Sequence, residues 1–140
     1  QEKLLRAVLI SDLITIHQKT GIGRLSAFCG ATSAGIGAAC GIAWLDGGDY
    51  EVIAHTIVNG LAILSGMVCD GAKPSCAAKI ATAVRNGLLG YQMYRQGCQF
   101  YGGDGIVTKG VENTIANVGR LANRGMRSTD CEILNIMIGN

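Results

Sequence analysis

A chain of 140 residues with 49% apolar side chains is long enough for one domain with a sizeable core. Its 12 basic and 10 acidic side chains nearly cancel, and aromatics make up only 5%. That balance argues against a nucleic-acid surface, which needs a basic face and stacking rings. Glycine is frequent, at 21 residues, but follows no period, and proline occurs once, so the glycines belong to turns and tight packing rather than to disorder.

The chain begins at Gln1, as a fragment, a processed chain or a subunit without its initiator would, and no signal peptide is visible. Leu4, Leu5, Val8, Leu9, Leu13 and Ile16 recur near helical spacing and predict an amphipathic helix over 2–18. "KTGIGRLS" breaks it with two glycines. A second helix is expected from Cys29 to Leu45, stopped by the glycines of "DGGD". Asp49 can cap a third over 50–68, with Val52, Ile53, Ile57, Leu61 and Leu64 buried. Pro74 suits the first turn of a fourth helix running to Gln96. "YGGDGIVTKG" reads as a loop, residues 109–124 as a fifth helix, and Ser128, Thr129 and Asp130 as the cap of a short last one. No segment alternates as a strand does. The expected fold is therefore all-α, a compact bundle of five to six helices with glycine-rich packing, and no repeat or linker divides it.

Leu25 to Leu45 carries no charge over 21 residues, long enough to span a bilayer, and Gly37 and Gly41 have the small-x-x-x-small spacing of packed membrane helices. Much of that run is Gly, Ala, Ser, Thr and Cys, which gain little from lipid, so a helix of a soluble core is the better reading. "GIGAAC" at 35–40 is not a dinucleotide loop: no strand precedes it, and Cys40 stands where a third glycine belongs. His17 and His55 are isolated, each without a partner at i+4, and read as polar-edge or interface residues. Asp104 reads as a turn residue, and Lys79, Arg85, Arg95, Arg120, Arg124 and Arg127 as solvated.

The six cysteines are the chemical question. An even count permits disulfides, an apolar core permits inert thiols, and a thiolate-bound metal centre is the third reading. No C-x-x-C occurs, which disfavours a zinc ribbon or a thioredoxin-like site. On one straight helix Cys69 and Cys76 would stand about 10 Å apart, and Cys29 and Cys40 about 16 Å. Gly71 and Pro74 instead imply a turn that brings Cys69 and Cys76 to one spot. Cys29 is the better ligand of the first pair because it falls at a helix start, where free N–H groups and the dipole favour a thiolate, and Cys76 gains the same help. Three thiolates at helix ends would leave one metal position open.

"CGATSAGIGAACGIAWLDGG", "LSGMVCDGAKPSCAAKIATAV" and "GGDGIVTKGVENTIANVGRLANRGM" resemble the C-terminal part of the L-cysteine desulfidase family, related to the α domain of bacterial iron–sulfur L-serine dehydratases. The resemblance covers essentially residues 1–140, and "SGMVCDGAK" is its most specific stretch. It implies a [4Fe-4S] cluster held by three cysteines, with Cys29 and Cys69 matching two of the ligands. Cys76 matches the next cysteine of the dehydratase pattern, at a shorter spacing, whereas in some members of the desulfidase family the third ligand comes from the N-terminal part. It also implies a longer chain whose N-terminal portion, or a partner subunit, completes the site, a cytoplasmic location, and an enzyme that can form homo-oligomers. The implied reaction is β-elimination from L-cysteine or L-serine to pyruvate and ammonia without pyridoxal phosphate. Lys73 and Asp70, beside the cysteines, are candidates for substrate orientation or proton transfer, against the plainer reading of a charged turn. Two other classes remain: a non-catalytic cluster-binding subunit, and a zinc-binding or disulfide-stapled helical module.

Overall fold

The computed structural model describes residues 1–139. Six α-helices follow in order: α1 (Glu2–Ile22), α2 (Gly30–Leu45), α3 (Tyr50–Ile63), α4 (Cys76–Arg95), α5 (Val111–Arg120) and α6 (Arg127–Ile138), with a π-helical turn, Leu121–Gly125, between the last two. Asp49 caps α3 as expected, its carboxylate accepting from Val52 N at 3.1 Å. Other boundaries move. Helix α1 runs through Gly21 and stops at Gly23, where φ is +94°. Helix α3 ends at Ile63, because the chain beyond it turns to pair with residues before α2. Leu64 therefore lies outside α3, and it is only partly buried. Pro74 lies in the turn leading into α4, which begins at Cys76. Ser128, Thr129 and Asp130 sit inside α6 rather than capping it.

Helix α2 is the central element and packs against α1, α3 and α4, while α5 closes over α1 and α3. Nine of its residues are buried, most of them small. The small side chains set how closely the helices approach. A β-carbon at Gly41 would fall 2.6 Å from the Ala7 carbonyl oxygen on α1, and one at Gly37 would fall 2.5 Å from that of Ser11. On the other flank a β-carbon at Gly87 of α4 would fall 2.6 Å from the Gly35 carbonyl oxygen. Backbone lies against backbone, at distances that side chains forbid. Around these contacts Ile22, Phe28, Ile36, Cys40, Ile57, Leu61, Ile115 and Val118 form the apolar core. Among the described residues no helix is long and apolar enough to cross a membrane.

The amphipathic reading of α1 is corrected in one respect. Leu4, Leu5, Val8, Leu9, Leu13 and Ile16 do not face the bundle: they are between 49% and 65% exposed. The buried side of α1 carries Ala7, Gln18 and Ile22, with Ile10 and Ile14 partly covered. Close approach to the α2 glycines selects that slimmer face, since leucines at the crossing would hold the two helices apart.

Candidate functional site

The site begins with the one pairing of extended backbone among the described residues. Cys29 N donates to Met67 O and Cys69 N donates to Ala27 O, both at 2.7 Å, around an antiparallel bridge between Phe28 and Val68. The buried Phe28 ring anchors it. Ser26 ties it further to the bundle, its hydroxyl donating to Ala122 O at 2.8 Å and accepting from Phe28 N at 3.0 Å. Side chains alternate along extended backbone, so Cys29 and Cys69 leave the bridge on one side as diagonal neighbours, about 7–8 Å apart. The two cysteines are 40 positions apart in the chain, and a single bridge makes them neighbours.

Cys29 is also the N-cap residue of α2, and Cys76 is the first residue of α4, so both thiols stand where free N–H groups and the positive dipole end are presented. Between Cys69 and Cys76 the chain turns as the sequence implies, with Gly71 at φ +89°. Cys76 Sγ lies 3.4 Å from Lys73 N and 3.6 Å from Gly71 O, which fixes it against this turn.

Lysines surround the thiols. Lys79, one turn along α4 from Cys76, donates to Val68 O at 2.7 Å and to Asp70 at 2.6 Å. Asp70 also pairs with Lys73. The Lys79 ammonium is within electrostatic reach of both Cys29 and Cys76, and its own proton is held more firmly, first through the hydrogen bond to Asp70. Lys19 reaches the start of α2 from α1: its ammonium would stand 3.9 Å from a β-carbon at Gly30. Sequence reasoning placed Lys79 on a solvated face and passed over Lys19. The Cys76/Lys79 spacing of three, which puts both on one face of a helix, was the available signal for the first.

Hydrogen bonds from Lys73 and then Lys79 hold the Asp70 carboxyl down at about 2. The pairing is thus complete above the ordinary carboxylate range and is lost as pH falls from there through about 2. Asp70 at neutral pH is a neutralised anchor for two ammonium groups, a poor acceptor for a substrate proton.

All six cysteines are free thiols, so the disulfide reading fails. Cys40 is a core residue whose thiol is pushed up to about 12 by burial, Cys98 lies beyond the far end of α4, and Cys131 is exposed on α6. His17 faces Glu112 at 2.7 Å, His55 stacks on Tyr94 with ring centres 4.5 Å apart, and Asp104 lies in a turn.

Among the described residues no three His, Cys, Asp or Glu side chains converge closely enough to hold a single metal ion. A cubane cluster makes a different demand. It presents a separate iron to each thiolate, so its ligands stand further apart than those of one ion, and the diagonal spacing of Cys29 and Cys69 suits it. The donor set, three free thiols among ammonium groups and helix N-termini, fits an anionic iron–sulfur group in kind. Removing the strut tests this local arrangement. Lys79→Met should leave helix content unchanged, since Lys79 takes no part in the core, yet loosen the cysteine turn. Hydrogen exchange at Cys69 N, slow in the parent chain, should then accelerate several-fold. Unchanged exchange would deny Lys79 that role.

A UPF0597 protein of Desulfitobacterium hafniense is 67% identical to this chain over 138 residues, 99% of the chain and 32% of that relative. One of Lachnoclostridium phytofermentans is 53% identical over 137 residues, covering 98% and 33%. One of Treponema denticola is 51% identical over 138 residues, covering 99% and 32%. The chain thus spans about a third of the length of the curated relatives it matches. No solved structure matches it. The model of the serine dehydratase alpha chain matches residues 1–135, which takes in the bridge, all three cysteines and the lysines around them, and the chain belongs to that family.

Proposed function

We propose that this chain is the cluster-bearing portion of an iron–sulfur β-elimination lyase, acting on L-cysteine to release hydrogen sulfide or on L-serine to release water, with pyruvate and ammonia as the further products. The observation that carries the reading is the Phe28–Val68 bridge, which sets Cys29 beside Cys69 with Cys76 and Lys79 at the adjoining helix start. Cys29, Cys69 and Cys76 would hold a [4Fe-4S] cluster. Such a cluster, held by three thiolates, supplies one iron with an open position that acts as a Lewis acid toward a small amino-acid substrate.

The chain's own groups divide the remaining work. Lys73 and Lys79 keep the cysteine turn closed through Asp70, and Lys73, the more exposed of the two, is placed to meet a substrate carboxylate. Asp70 orients both ammonium groups. Elimination removes the α-proton and the β-sulfhydryl or β-hydroxyl, forms the C=C bond of an enamine, and ends when its imine tautomer is hydrolysed to pyruvate and ammonia. Among the described residues at the cysteines no free base stands, which supports placing the proton acceptor in the rest of a complete enzyme. The relatives' greater length supports that division, and the desulfidase-like "SGMVCDGAK" stretch favours cysteine over serine.

The test uses a completed chain, residues 1–140 joined to the remaining portion of the Desulfitobacterium hafniense relative. Under anaerobic conditions it should release pyruvate from L-cysteine, and more slowly or not at all from L-serine. Activity that survives complete iron removal, or that requires added pyridoxal phosphate, would reject the mechanism.

A further inference from the structure

Helix α1 is apolar on both sides. Its inner side packs on α2 and α5. Its outer side presents Leu4, Leu5, Val8, Leu9, Leu13 and Ile16 along most of its length. Grooves flank this ridge. On one side Ala38, Ile42 and Leu45 of α2 continue the apolar surface, and on the other Tyr50, Ile53 and Val111 do so. Arg6 and Asp12, also exposed, interrupt this side, but six neighbouring apolar side chains at this exposure exceed the scattered apolar residues normal on a monomer.

We infer that the outer face of α1 and its two grooves are the docking surface for the part of the family chain that lies outside these residues. The matched region covers 32% of the Desulfitobacterium hafniense relative, so about two thirds of that protein is available to cover it. A ridge between grooves receives packed apolar helices or a sheet face, as obligate interfaces that resemble a divided core do. The occupant is therefore a folded apolar surface of the same polypeptide. The inference rests on the surface and on the relatives' length, and is independent of any cluster.

Hydroxyl-radical footprinting of the 140-residue chain and of the completed chain tests it without iron or substrate. Leu4, Leu9, Leu13 and Ile16 should be oxidised in the short chain and protected several-fold in the completed one. Equal oxidation in both would overturn the inference. So would protection already present in the short chain as a homodimer that Leu9→Glu/Leu13→Glu splits into monomers, which would make a second copy the occupant. In the completed chain the same double substitution should raise protease cleavage between the two portions several-fold, while helix content of the short chain stays unchanged because both positions are exposed there. Cleavage unchanged by the substitution would also overturn it.

Discussion

Gly35→Ala should lower stability by about 1–3 kcal/mol, although alanine is the better helix former. The added methyl falls against the backbone carbonyl of Ala83 in α4, well inside contact distance, and that backbone cannot rotate away as a side chain would. Propensity alone favours alanine by roughly 1 kcal/mol in an exposed helix. Here the clash outweighs it, because relief requires α2 and α4 to separate along their whole contact. Gly87→Ala, from the opposite side of the same crossing, should behave alike, since its β-carbon meets the Gly35 carbonyl oxygen and the Ala39 methyl. Thermal denaturation should show midpoints lower by roughly 5–10 °C for both. Ala34→Gln, one position away on α2 and exposed, adds a larger side chain that meets only solvent and should move the midpoint far less. A Gly35→Ala protein as stable as its parent would mean that α2 and α4 do not meet at this distance.

The second large effect concerns the cysteines. Cys69→Ser in the completed chain should abolish iron–sulfur incorporation, and Cys98→Ser should not. Serine preserves the size and the backbone hydrogen bond to Ala27, so the bridge survives and only the soft thiolate donor is lost. Cys98 lies beyond the far end of α4, about 30 Å along the helix from Cys76, and serves as the control for general thiol loss. Iron and acid-labile sulfide measured after anaerobic reconstitution decide between them. Equal content in the two variants would reject Cys69 as a ligand.

The all-helical architecture was legible because periodic apolar residues and a glycine-rich central run leave no strand alternation. The boundaries were less so, for definite reasons. Gly21 and Gly23 look alike in sequence. The first stays helical and lies against Gly119 of α5, its β-position 3.4 Å from that α-carbon, while the second takes the positive φ that ends α1. The early end of α3 follows from the pairing of residues 67–69 with 27–29, a tertiary contact that no local pattern announces. The apolar residues of α1 were found correctly, but their direction was not: the glycines of α2 select the slimmer face, and that choice depends on both helices together. At the site, the cysteines were visible through spacing and resemblance, and the turn between Cys69 and Cys76 through Gly71 and Pro74. The lysines were not, since Lys79 works through a carbonyl and a carboxylate that only the folded turn brings to it.

Cys29, Cys69 and Cys76 are the proposed cluster ligands. Iron and acid-labile sulfide content of the anaerobically reconstituted completed chain tests this assignment most directly. About four of each per chain are expected, lost on exposure to air. Protein that takes up no iron and sulfide, or that binds one zinc ion through the same cysteines, would contradict it.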